Sequence, residues 1–117
     1  MYNISHKDFA CLISIVDSIG KIKNYTQSYS DADSFYEDTK SFDAAMMNFI
    51  VIGEMADKLS DNFINSTNNI FDWPKIIGLR NIIAHNYFGI DAEEVWQIIG
   101  DSLIGLEKNI KTILEIN

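Results

Sequence analysis

The sequence of 117 residues has one cysteine, one proline and no long apolar run. The single cysteine, Cys11, excludes an intramolecular disulfide and a multi-cysteine metal site, and its apolar neighbours predict a buried side chain. No window approaches the roughly 20 apolar residues that span a bilayer. The first eight residues lack the basic start and apolar core of a secretory signal. We therefore expect a cytoplasmic protein with no membrane contact.

Positive charge is also scarce. Nine Lys and Arg residues stand against 17 Asp and Glu residues, which gives a formal net charge of -8. Proteins that coat nucleic acid take their phosphate affinity from many cations, so we expect no general coating and no binding to DNA. Arg80 is the only arginine. Its planar fork can grip a phosphate in a way that lysine cannot. The alternative is a structural ion pair with a carboxylate such as Glu54.

The apolar residues recur with helical spacing along the whole chain, and strand-like alternation is absent. Ser5 resembles the N-cap of a first helix that reaches about Tyr29. The apolar face predicted for this helix consists of Phe9, Leu12, Ile13, Val16, Ile19 and Ile22. A second long helix is predicted from about Ser34 to Ser60. The polar stretch at 62–69 reads as a loop or a frayed turn.

Two further helices are predicted in the second half of the chain. Trp73 and Pro74 begin a short one, because proline suits the first helical turn. Asp91 resembles the N-cap of another, which runs nearly to the C terminus. The expectation is an all-α fold, an antiparallel helical bundle of three long helices and a short one, in a single domain of residues 1–117.

The short helix and the segment after it, residues 73–90, contain no acidic residue in an otherwise acidic chain. This stretch holds Arg80 and His85. Residues five positions apart on an ideal helix are separated by about 140° around its axis, so the side chains of Arg80 and His85 would not share a face. They would converge only if the helix unwound near His85, or if the long Arg80 side chain curled around. The spacing alone is a weak signal, since a histidine at a helix end is commonly a cap.

The longer string is more specific. Arg80-Asn81-Ile82-Ile83-Ala84-His85 resembles the Arg-x4-His signature of the HEPN superfamily, and its extension to Tyr87 resembles the Arg-x4-His-x-Tyr form of HepT-type toxins. Similar strings lie where that family carries them: Ile52-Gly53-Glu54, Trp73-Pro74, 76–81, 87–91 and Val95-Trp96. The resemblance extends from about Phe42 to the C terminus.

The resemblance implies a HEPN-like bundle that dimerises and brings two signatures together in a cleft. It also implies a metal-independent endoribonuclease, a toxin encoded beside a nucleotidyltransferase antitoxin that attaches AMP to the signature tyrosine. Carried over here, Arg80 and His85 would be catalytic, Asn81 would support the site and Tyr87 would be AMPylated. Glu54 either supports Arg80 or His85 or is a solvated helix edge. Without the resemblance, Tyr87 reads as an amphipathic cap of the bundle.

These residue types suit RNA cleavage without a metal or a cofactor, because RNA supplies its own 2′-hydroxyl nucleophile. One histidine cannot act as the acid and the base at the same time. A homodimer would supply two copies of His85, one for each role. The leading hypothesis is thus the endoribonuclease toxin of a type VII-like toxin–antitoxin system, with RNA and a nucleotidyltransferase as partners. The alternative is a non-catalytic dimeric helical module that binds a nucleotide or a protein partner.

Overall fold

The computed structural model describes residues 4–86 and 89–116, and these residues form helices joined by short turns, with no strand among them. The helices are α1 (His6–Thr26), α2 (Ala32–Glu37), α3 (Thr39–Asp57), α4 (Asp61–Thr67), α5 (Trp73–Asn86), α6 (Ala92–Gln97) and α7 (Leu103–Ile116), with a π-helical turn at Ile98–Ser102 between the last two. The predicted all-α bundle is confirmed.

Helix α3 lies at the centre of the bundle, between α1 and α5, and α7 packs on α1. The core consists of apolar side chains from every long helix. Its most deeply buried members include Leu12, Ile15, Ile19, Phe35, Phe49, Ile52, Trp73, Leu103 and Ile110. Cys11 is buried among them, as predicted. Because α3 contacts both of its neighbours along its length, it is the element that fixes the position of α5.

The start of α1 is joined to the start of α4 by a buried carboxylate. The predicted N-cap is confirmed, since the Ser5 hydroxyl accepts a hydrogen bond from the Asp8 backbone at 3.1 Å. The Asp8 side chain in turn accepts from the Ser60 backbone at 2.8 Å and from the Ser60 hydroxyl at 2.6 Å. Both partners are hydrogen-bond donors, so the buried acid is satisfied without a cation.

The second long helix predicted for residues 34–60 is wrong, because the chain breaks at Asp38. This residue leaves helical geometry (φ -83°, ψ 87°) and caps α3 by accepting from the Ser41 backbone. The Tyr29 hydroxyl also donates to its carboxylate. Helix α1 ends at Thr26 instead of near Tyr29. Tyr29 therefore lies outside the helix, where its hydroxyl contacts Asp38.

The polar stretch at 62–69 is not a loop over most of its length, contrary to the prediction. Residues 61–67 form α4, with Ser60 as its N-cap. The Thr67 hydroxyl donates to the Phe63 carbonyl at 2.7 Å and accepts from the Trp73 indole at 2.9 Å, and Thr67 and Trp73 are buried. This tertiary contact holds a helix whose own residues favour turns.

Two further expectations need correction. The last helix is interrupted by the π-helical turn at Ile98–Ser102, although its cap at Asp91 is confirmed by hydrogen bonds from the Glu93 and Glu94 backbone. Phe9 and Ile13 are exposed and do not belong to the buried face of α1.

No helix among the described residues is long and apolar enough to cross a membrane.

Candidate active site

Helix α5 carries Arg80, Asn81 and His85 on one continuous stretch of backbone. It begins at Trp73, as predicted, and the Asp72 carboxylate caps it by accepting from the Lys75 backbone at 3.2 Å. The helix extends through Asn86. It therefore does not unwind before His85, and the regular geometry keeps Arg80 and His85 about 140° apart around its axis.

The crossing of α3 and α5 is closest at Gly53 and Arg80. A Cβ atom added to Gly53 would lie 2.6 Å from the Arg80 Cβ and 2.9 Å from the Arg80 backbone nitrogen. Only a residue without a side chain permits this approach. The crossing fixes the start of the Arg80 side chain against the last turn of α3, which carries two carboxylates.

Both of those carboxylates bind the same nitrogen of Arg80. Nη1 donates to Glu54 Oε1 and to Asp57 Oδ2, each at 3.2 Å. Nε lies 3.4 Å from the Asn81 side-chain oxygen. The hydrogen bond that Arg80 donates to Asp57 and the charges of Glu54 and Asp57 raise the pKa of Arg80 above its usual value. The guanidinium is thus permanently charged and held in one direction while a quarter of the side chain stays exposed.

The ion pair between Arg80 and Glu54 is one of the two interpretations that the sequence allowed for these residues. Asp57 was missed. Its one signal was its position three residues after Glu54, which places the two carboxylates on neighbouring positions of a helix surface. Asp91 and Glu94 have the same spacing at the start of a helix, so the spacing alone did not mark Asp57 as a partner of Arg80.

His85 and Asn81 are exposed on α5, and no hydrogen bond between described residues joins His85 to Arg80. The neighbouring Ile82 side chain is also exposed, at 51%. This part of α5 therefore presents a histidine, an amide and an apolar side chain to the outside of the bundle. His6, which the sequence placed at the surface, is exposed too.

Tyr87, the predicted site of AMPylation, lies outside the described residues. Among residues 4–86 and 89–116, no group of His, Cys, Asp and Glu could hold a metal ion. A cavity of about 310 Å³ lies between α5 and the start of α7, and it is lined mainly by apolar residues such as Ile76, Leu79 and Leu106. Arg80 and His85 do not line it, so the charged cluster is a surface feature.

The comparisons with known proteins identify the family of the chain. The family model described as "Ribonuclease HepT-like" matches residues 15–113, so the chain belongs to the HepT-like ribonuclease family. It is 30% identical to "Putative RNase MJ0127" of Methanocaldococcus jannaschii, over 91% of this chain and 86% of that protein. It is 27% identical to "Probable ribonuclease HepT" of Thermococcus cleftensis, over 88% of this chain and 90% of that protein. No solved structure matches.

Proposed function

We propose that this chain is a metal-independent endoribonuclease, acting in the cytoplasm as the toxin of a type VII-like toxin–antitoxin pair. The proposal treats residues 1–117 as one domain. The observation that carries it is the presence of a fixed, partly exposed guanidinium at Arg80 and an exposed imidazole at His85 on the same regular helix. Membership of a ribonuclease family supports RNA as the substrate.

The reaction follows from the chemistry of these groups. One His85 removes the proton of the 2′-hydroxyl, whose oxygen attacks the phosphorus while the bond from phosphorus to the 5′-oxygen breaks. A second His85 gives its proton to the leaving 5′-oxygen. Arg80 stabilises the negative charge that builds on the phosphorus oxygens. The products are a 2′,3′-cyclic phosphate and a 5′-hydroxyl, and neither a metal nor a cofactor takes part.

A homodimer supplies the second histidine. Within one chain, His85 lies about 140° from Arg80 around α5, and each helix carries one copy of each residue. A two-fold interface at the exposed side of α5 would bring two copies together. The exposed Ile82 supports this face as the contact, because an apolar side chain beside a charged site gains from being covered.

Control of the toxin rests on Tyr87 in this proposal. A cognate nucleotidyltransferase would attach AMP to its hydroxyl, two residues after His85. The added phosphate would repel the RNA backbone, and the nucleoside would exclude it. Incubating the protein with such a partner and ATP should add the mass of one or more AMP units, and Tyr87→Phe should abolish the addition. Equal modification of Tyr87→Phe would contradict this assignment.

Cleavage of RNA by the purified protein tests the central claim. Total RNA and a defined oligonucleotide are incubated in the presence of a chelator, and the ends of the fragments are identified. Arg80→Ala and His85→Ala should each remove cleavage and toxicity. The non-catalytic alternative predicts binding of nucleotide or partner without fragments, and an unimpaired His85→Ala protein would refute the catalytic role.

A further inference from the structure

Arg80 is paired with two carboxylates, those of Asp57 and Glu54, although one would balance its charge. One guanidinium nitrogen, Nη1, lies 3.2 Å from a carboxylate oxygen of each. A single ion pair would already neutralise the arginine. With two, the formal charge of the cluster is -1. A phosphate that approaches Arg80 must therefore compete with a carboxylate for the same nitrogen.

The position of Glu54 and Asp57 in α3 does not stabilise that helix. Both occupy its last turn, and that turn contains no basic residue. The C-terminal end of a helix carries a partial negative charge, so acidic side chains are unfavourable there. Only Lys58, at the C-cap, offsets them. Their placement is explained by Arg80, which the glycine contact at Gly53 brings against this turn.

The two carboxylates differ in their position on α3. Asp57 is the last residue of α3, and its side chain is 51% exposed. Glu54 lies one turn inside the helix and is 44% exposed. Both carboxylates are therefore open to solvent, and Asp57 is the one at the end of the helix. Glu54 remains beside Gly53 at the crossing and can hold the guanidinium after Asp57 has left it.

We propose that Asp57 is a positioning residue that holds Arg80 Nη1 in the free protein and is displaced by a phosphodiester of the RNA substrate. The inference rests on the proposed function of Arg80 as the phosphate-binding residue. The consequence is selectivity for RNA over free phosphate, because a single inorganic phosphate competes poorly for an arginine that is paired with two carboxylates. An RNA strand that makes further contacts in the cleft can displace Asp57.

Asp57→Asn tests the proposal, because it removes the competing charge and keeps the shape of the side chain. Binding is measured by fluorescence anisotropy with a labelled 2′-O-methyl oligoribonucleotide, which lacks a free 2′-hydroxyl and cannot be cleaved, and kcat and KM are measured on the matching RNA. We expect Kd and KM to fall about two- to fivefold, the range for one exposed ion pair. Inhibition by inorganic phosphate should strengthen, and the larger kinetic change should be in KM.

Asp33→Asn is the matched control. It removes the same charge from an exposed aspartate of α2 and therefore reports the effect of net charge alone. Asp57→Glu restores the charge and should bring Kd back toward the wild-type value. Thermal unfolding of each variant shows whether the fold is kept.

Three results would overturn the proposal. They are an unchanged Kd in Asp57→Asn, an equal gain in Asp33→Asn, and a loss of kcat and stability without a gain in affinity, which would make Asp57 a structural partner. If the wild-type protein cleaves no RNA, the proposed function fails. The anisotropy measurement still decides whether Asp57 competes with phosphate, so the two failures are distinguishable.

Discussion

Gly53 packs directly against Arg80 where α3 crosses α5, and this contact positions the candidate active site. An added Cβ on Gly53 would lie 2.6 Å from the Cβ of Arg80 and 2.9 Å from its backbone nitrogen. Real Cβ atoms do not approach other heavy atoms so closely, so the two helices could not cross here with any other residue. The fold and the site therefore depend on the same glycine.

Gly53→Ala should separate α3 from α5. We expect the free energy of unfolding to fall by about 1–3 kcal/mol, the usual cost of overpacking, and RNA cleavage to fall with it. Gly20→Ala in α1 is the control, since a Cβ there meets no atom within 4 Å. It should stabilise the protein by roughly 0.5–1 kcal/mol, because alanine favours the helix. Urea unfolding measures both changes, and equal effects would contradict the role of the contact.

How far the fold could be predicted depends on how local each interaction is. The caps at Ser5 and Asp91 were predictable, because a cap is made within four residues of the chain. The break at Asp38 was not. Its carboxylate accepts from Tyr29 as well as from Ser41, and a helical pattern that continues past residue 38 does not reveal a partner nine residues earlier. Tertiary contacts of this kind override local propensity.

The same limit applies to the site. Arg80 stood out as the only arginine, and Glu54 was a candidate partner for it, but neither observation shows which helix crosses which. The crossing at Gly53 sets that geometry, and it brings in Asp57 as well. The predicted roles of His85, Asn81 and Tyr87 remain predictions.

Thr67 should matter more to stability than its exposed counterpart in α7. Thr67→Val keeps the shape but leaves the buried Trp73 indole without its acceptor, which costs about 1–3 kcal/mol. Thr112 makes the same kind of bond to the carbonyl four residues earlier, but it is exposed. Thr112→Val should therefore have little effect. Thermal unfolding followed by tryptophan fluorescence compares the two, and equal shifts in Tm would contradict the prediction.

Glu107 should make stability depend on pH. Burial opposes its ionisation, but the ammonium groups of Lys23 and Lys111 outweigh burial and hold its pKa below the usual 4.5. Because the pKa is lower in the folded state, the ionised group stabilises the protein above the unfolded pKa. This contribution is lost as the pH falls through the folded value.

Glu107→Gln should therefore destabilise the protein near neutral pH and lose that difference in acid. Urea unfolding from about pH 7 to pH 3 measures the difference. Glu115→Gln, an exposed change in the same helix, is the control. Parallel pH profiles for the wild-type protein and Glu107→Gln would show that the pair of lysines does not act on Glu107 as described.

Mixed dimers test whether two copies of His85 work in one site. If each site needs both, a dimer of one wild-type chain and one His85→Ala chain is inactive, and activity falls as the square of the wild-type fraction. Co-refolding equal amounts should then leave about one quarter of the wild-type activity, against about one half if each chain acts alone. Mixing with the exposed variant Asp33→Asn should leave activity unchanged. A linear fall with His85→Ala would require one histidine to act as both base and acid in succession, and it would remove the reason for a composite site.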